Sequence, residues 1–191
     1  MIEQHPLTPF LPANGRLLML GSFPPQQKRW AIDFYYPNFT NDMWRVFGVV
    51  FFDNPLHFVD KENKTYRKSE IVDFLNNKGI GIFDAASAVR RLKDNASDKF
   101  LDVVTPTNID DLLHKMPLCK AIATTGQKAT DIICERYSIE QPKIGTYREF
   151  ELNGQSFKFY RMPSTSRAYP LPIAKKAEVY RTMFEEIIGL N

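Results

Sequence analysis

Three short apolar runs constrain this chain more than any other feature. They are "RLLMLG" at 16–21, "GIGIFDA" at 79–85 and "KAIATTG" at 120–126. Each is bounded by turn residues and has the pattern of a strand buried on both faces. Stretches with apolar residues at helical spacing separate or follow them. Segment 41–52 carries Met43, Trp44, Phe47 and Phe51, with Thr40 or Asn41 available to cap it. A short helix at 69–77 ends near Gly79, and another at 108–115 opens on Asn108 and stops before Pro117. After Gly126 a helix sets Ala129, Ile132, Ile133 and Tyr137 on one side, and helix 174–189 does the same with Ala177, Tyr180, Phe184, Ile187 and Ile188.

Strands alternating with helices predict an α/β chain: a three-layer α/β/α sandwich around a central four-stranded, mainly parallel sheet. In "REFELNGQSFKFYRMP" the Asn153-Gly154 pair predicts a tight hairpin. Residues 53–70 are charged and broken and read as a surface insertion, while 86–107 read as irregular. No repeat or linker divides the chain, so 1–191 is expected to be one domain.

Composition narrows the function classes. Hydrophobic residues at 43% mark an ordinary globular protein, and a net charge of +3 permits a nucleic-acid partner without demanding one. The basic pairs are Lys28-Arg29, Arg90-Arg91 and Lys175-Lys176. Cys119 and Cys134 sit in apolar patterns and read as free thiols. His5, His57 and His114 lie far apart, so no metal spacing is present and no metal or cofactor is expected. No apolar run has membrane-spanning length and the N-terminus lacks a signal core, so a reducing cytoplasm is the expected setting.

In open α/β sheets ligands bind beyond the carboxyl ends of the strands. The segments found there are "SFPPQQKRW…YYPNFTND", Asp84 with "AASAVRR", "TGQKA" and "PSTSRAYP". They contain no nucleophile elbow, zinc helix, phosphate loop or dinucleotide fingerprint. They offer amides, hydroxyls, an acid and aromatics, which suits a flat heterocycle held by stacking and edge hydrogen bonds, with phosphates on Ser, Thr and Arg.

The set "LGSFPP…YYPNFTNDMWRVFG", "GIGIFDAASAVRR", "TTGQKA" and "MPSTSRA" resembles, in order and rough spacing, the motifs of the uracil-DNA glycosylase superfamily, nearest its hypoxanthine-DNA glycosylase branch. The chain departs from that branch at Pro25, Asn38-Phe39, Thr125 and Arg167, and it has Ser22 where several sister branches carry an acid or amide in the first motif. The resemblance implies hydrolysis of the N-glycosidic bond of a deaminated base, uracil or hypoxanthine, flipped out of DNA. It implies DNA with a deaminated or mismatched base as partner, a monomer, and no cofactor.

It also implies roles. Asn41 aligns with a catalytic Asn that orients water and donates to the base or sugar; from the residues alone it is a helix cap. Asp42 is a substitute for water activation, or a carboxylate at a helix N-terminus. Ser22, Phe23, Tyr35, Tyr36 and Asp84 would form the base pocket. Asp84 would accept a ring N–H, or else cap a turn. Phe23 would stack, or belong to the core. Trp44 reads as core. Lys128, Ser164, Thr165, Ser166 and Arg167 would hold DNA, or form a polar turn before a helix. Two other readings stand beside this one: a relative that binds nucleic acid without catalysis, and an α/β hydrolase using Ser22, Ser164 or Ser166, which lacks a suitably placed His for a triad.

Overall fold

The computed structural model describes residues 1–93 and 98–190. In chain order its elements are β1 (Ile2–Gln4), β2 (Leu17–Gly21), α1 (Met43–Phe52), β3 (Val59–Asp60), β4 (Thr65–Tyr66), α2 (Lys68–Lys78), β5 (Ile80–Asp84), β6 (Ala86–Arg91), β7 (Leu101–Pro106), α3 (Ile109–His114), β8 (Ala121–Thr124), α4 (Gln127–Tyr137), β9 (Thr146–Leu152), β10 (Gln155–Arg161) and α5 (Ile173–Ile187). The three apolar runs became β2, β5 and β8. Every residue in them is buried, as parallel strands covered on both faces must be.

The main sheet has the order β5-β2-β8-β10-β9. Its first four strands are parallel, and β9 pairs with β10 antiparallel. The expectation of a four-stranded sheet therefore needs a correction: among the described residues the sheet has five strands and is mixed. The hairpin accounts for the difference. Asn153 at φ 53° and Gly154 at φ 76° take the doubly left-handed turn that a two-residue connection requires. That turn lays β9 directly against β10, so the first arm of the hairpin joins the sheet as an edge.

Helices gather in two groups. Phe47 of α1 touches Phe74 of α2 (5.9 Å between centroids) and Phe184 of α5 (5.0 Å). On α3, Asp110 accepts from Arg136 and Tyr137 of α4 at 2.7 and 2.6 Å. The parallel strands run in order second, first, third, fourth, so right-handed crossovers carry α1 and α2 to one face and α3 and α4 to the other. Trp44 is fully buried between Phe34 and Phe47, as expected of core. Cys119 is buried and Cys134 partly so, and both are free. No helix among the described residues is long and apolar enough to cross a membrane.

Two segments differ from their sequence reading. The stretch 86–107, expected to be irregular, holds β6 and β7, which pair antiparallel and take β1 on their other side; its residues 94–97 lie outside the described residues. Register shifts between β6 and β7 break the alternation that would have marked them as strands. Residues 53–70, expected to be a surface insertion, contain the β3–β4 hairpin, with Phe58, Val59 and Tyr66 buried. Charged neighbours masked an apolar anchor of three residues.

Gly154 has nothing within 4 Å of where a Cβ would stand, so its substitution tests backbone conformation alone. Gly154→Ala should lower stability by about 1–2 kcal/mol, read as a shift in the urea midpoint with the slope unchanged.

Candidate active site

The direction of the crossovers reverses at β2. The step to β5 goes one way, and the return to β8 passes to the other side. The crevice between the carboxyl ends of β2 and β8 is therefore a topological switch point, where open α/β sheets bind ligands. A cleft of about 950 Å³ opens there. Segment 21–25 lines it at the end of β2, Asp84 at the end of β5, 125–128 after β8 and 164–169 after β10. Its lining carries Arg29, Arg91, Lys99, Lys128 and Arg167 against Asp84, Asp98 and Asp131, with Arg91 also paired to Glu3 and Arg167 to Asp42, which leaves a small basic excess in Arg29, Lys99 and Lys128. That balance favours a polyanion along the mouth. Among the described residues no cluster of His, Cys, Asp or Glu is placed to hold a metal ion.

The aromatics of 34–39 divide between core and cleft. Phe34 is buried near Trp44, with ring centroids 6.0 Å apart. Tyr35 is 2% exposed and donates its hydroxyl to Thr8 O at 2.7 Å. Tyr35 does not line the cleft, whereas Tyr36 does. Tyr36 sits at φ 49°, a costly conformation for a bulky residue, and its hydroxyl pairs with Thr125 Oγ1 at 2.8 Å. Burial pushes that phenol well above its ordinary pKa, so it meets a ligand as a neutral group. Phe23 lines the cleft edge-on to His5, at 5.2 Å, with the Arg91 guanidinium 5.7 Å from its ring.

Asn41 lines the cleft, and its side chain caps α1: Oδ1 accepts from Met43 N at 2.9 Å. This assigns the carbonyl to the helix and leaves the Nδ2 amide without a hydrogen-bond partner among the described residues. The backbone around it is braced from below. Arg45, 6% exposed, donates to Phe39 O at 2.8 Å, to Asn41 O at 3.2 Å and to the Tyr66 hydroxyl. The Tyr66 hydroxyl lies 2.7 Å from Asn41 O, to which it donates. Burial pushes its pKa up to about 12. Tyr66 belongs to the β3–β4 hairpin, so residues 53–70 buttress the asparagine.

Asp42 does not line the cleft. It is 3% exposed, Lys176 Nζ donates to its Oδ2 at 3.1 Å and Arg167 Nε to its Oδ1 at 3.2 Å. Lys176, on α5, is fully buried and also donates to Ser166 O. The Asp42 amide donates to Thr165 O at 2.9 Å. Both oxygens of this carboxylate are paired with cations, which makes it a tie between two cleft loops.

Within 164–168, Thr165 is buried while Ser164 Oγ and Ser166 Oγ each accept a backbone N–H two residues on. Their hydroxyl protons stay available to an anion. Lys128 lies in the first turn of α4, whose N-terminal amides carry a positive dipole end.

Asp84, 7% exposed, accepts from His5 Nε2 at 2.8 Å. Its Oδ1 packs so close to Gly21 that a Cβ there would stand 2.3 Å away, which explains a glycine at the end of β2. His5 and Asp98 are site residues the sequence reading missed. His5 lies 79 residues from its partner and directly follows β1. Asp98 lies in a 3-10 turn before β7, and Ser22 Oγ donates to its Oδ2 at 2.5 Å. Burial raises its pKa, against the pull of Ser22, Arg91 and Lys128. No local signal in the sequence marks either residue.

No protein-family model matches this chain, and no curated protein matches it. It is similar in fold to the solution NMR structure of a proposed uracil DNA glycosylase from Methanosarcina acetivorans, with a TM-score of 0.61 and 21% identity over 96% of this chain and 99% of that one. At this identity the likeness speaks for the fold: a mixed α/β sheet with helices on both faces.

Asp42→Asn should cost about 3–5 kcal/mol, because it leaves Lys176 buried without its counter-charge. The double change Asp42→Asn with Lys176→Met should recover most of that loss, both read by urea unfolding. Tyr66→Phe should cost about 1 kcal/mol by removing the hydroxyl's hydrogen bonds to Arg45 and to the Asn41 carbonyl, which keep each other as partners, measured the same way.

Proposed function

We propose that this protein is a monofunctional DNA glycosylase that hydrolyses the N-glycosidic bond of a deaminated base, uracil or hypoxanthine, flipped from DNA into the cleft. One observation carries the reading. The four motif-like segments, far apart in sequence, converge beyond the carboxyl ends of four parallel strands on one cleft with a small basic excess. The fold likeness to a proposed uracil DNA glycosylase supports it. So does the chemistry on offer, since base excision needs stacking, edge recognition and phosphate contacts rather than a nucleophilic triad.

In this reading Phe23 and Tyr36 flank the extruded base. Asp84, oriented by His5, accepts the ring N–H that uracil and hypoxanthine share beside a carbonyl. As the bond breaks, the sugar becomes cationic and the base leaves as an anion. The Asn41 amide, fixed by its carbonyl's cap on α1, donates to the charge developing on the base or sugar. Ser164, Ser166, Arg167 and Lys128 hold the phosphates beside the target, while buried Thr165 anchors their loop.

Oligonucleotides carrying one uracil or one hypoxanthine, single-stranded and opposite each normal base, test the proposal. Purified protein should leave an alkali-labile abasic site in at least one of them. Asn41→Ala should slow release by about 100-fold in a protein that stays folded but loses about 1 kcal/mol of stability with the bond to Met43 N. Release from none of the substrates would sink the proposal, and lesion-specific binding without release would point instead to a relative that has lost catalysis.

A further inference from the structure

The glycosylase reading leaves one task without a residue. Hydrolysis is helped by an acceptor for the proton of the attacking water. Asn41 Oδ1 is spent on Met43 N, and Asp42 is enclosed by Lys176 and Arg167. Asp84, held by His5 Nε2, is engaged in that reading with the ring N–H of the base. Asp131 accepts from Gln127 and Gln141 on Oδ1 alone, but it is exposed to solvent at the edge of the cleft rather than enclosed within it. Asp98 differs from all of these. It lines the cleft, its Oδ2 rests on a neutral hydroxyl, that of Ser22, and its Oδ1 has no hydrogen-bond partner among the described residues.

We infer that Asp98, seated on Ser22 beyond the carboxyl end of β2, is the catalytic residue that takes the proton of the attacking water, an inference that rests on the glycosylase reading. The water oxygen bonds to C1′ of the deoxyribose as the C1′–N bond breaks. The electron pair of that bond leaves with the base as an anion. One water proton moves to Asp98, which then returns it to solvent, and the base anion takes up a proton from solvent. Ser22 is a positioning residue: its hydroxyl orients the carboxylate and favours its charged form.

The groups facing Asp98 define a pH signature. Asp84 on β5 opposes its ionisation, while Arg91 on β6 and Lys128 on α4 support it; Tyr36, across the cleft, stays neutral. Burial raises the carboxyl above the ordinary range. A general base works ionised, so the rate should fall as pH drops through that raised value. Removing the Ser22 hydroxyl takes away a bond to the charged form and should move this acid limb to higher pH.

Single-turnover base release, followed from acid to neutral pH on the best substrate of the panel, tests the inference with wild type, Asp98→Asn and Ser22→Ala. Asp98→Asn should lower the rate by about 100-fold or more and erase the acid limb. Ser22→Ala should keep more of the rate and shift the limb upward. Wild-type release with an Asp98→Asn rate and limb unchanged would overturn the inference and leave the glycosylase reading intact; no release by wild type would overturn both. If circular dichroism finds Asp98→Asn unfolded, Ser22→Ala decides, and an unmoved limb would count against Asp98.

Discussion

A fully buried lysine must keep its counter-charge, and much of the cleft depends on that requirement. Lys176 has no exposure, so its ammonium is stable only against Asp42 and the Ser166 carbonyl. Asp42 follows Asn41 and opens α1; Ser166 lies in the loop after β10. The pair therefore clamps the loop that carries Asn41 to the loop that carries Ser164 and Arg167, and a second bond, from the Asp42 amide to Thr165 O, repeats the connection. Any rearrangement that parts these loops strands a charge in a low-dielectric interior, so their separation is held far more tightly than loop entropy would allow.

The opposite wall is built on close approach. Parallel pairing sets Gly21 beside Asp84, and the absent Cβ lets the carboxylate settle against the strand end. His5, brought by a strand of the second sheet, fixes the other oxygen. Ser22 then turns to Asp98, and Tyr36, held at a strained φ by Thr125, faces them from the first loop. Polar groups that are already paired and oriented cost little reorganisation when a ligand arrives, which is how a preorganised site gains rate. Asn41 illustrates the economy: one end of its amide caps the helix and the other faces the cleft.

Much of the scaffold was legible residue by residue. "LLMLG", "IGIFD" and "AIAT" are apolar throughout, because strands covered on both faces exclude polar side chains. Asn153-Gly154 announced its turn through the positive φ that both residues tolerate. β6 and β7 were hidden because bulged registers break the alternation by which strands are recognised. Tyr66 was hidden because its neighbours are charged, although its own phenol is buried against Arg45. Within the site, segment order was readable, but the division of Phe34, Tyr35, Tyr36 and Phe39 between core and cleft was not. Adjacent side chains in a loop have no fixed period, so only packing against Trp44, Thr8 and Thr125 decides where each one points.

By itself the sequence determined the alternation of strand and helix, the positions of the loops that follow each strand, and the identity of the polar groups those loops carry. These are local properties, set by periodicity, capping and turn chemistry over a few residues. Tertiary structure alone decided which of those groups remain available. It assigned Asp42 to Lys176 across 134 positions, tied Asp84 to His5 across 79 and brought Asp98 to Ser22 across 76. A carboxylate's role depends on what desolvates it and what pairs with it, and those neighbours come from elements that only the folded sheet makes adjacent.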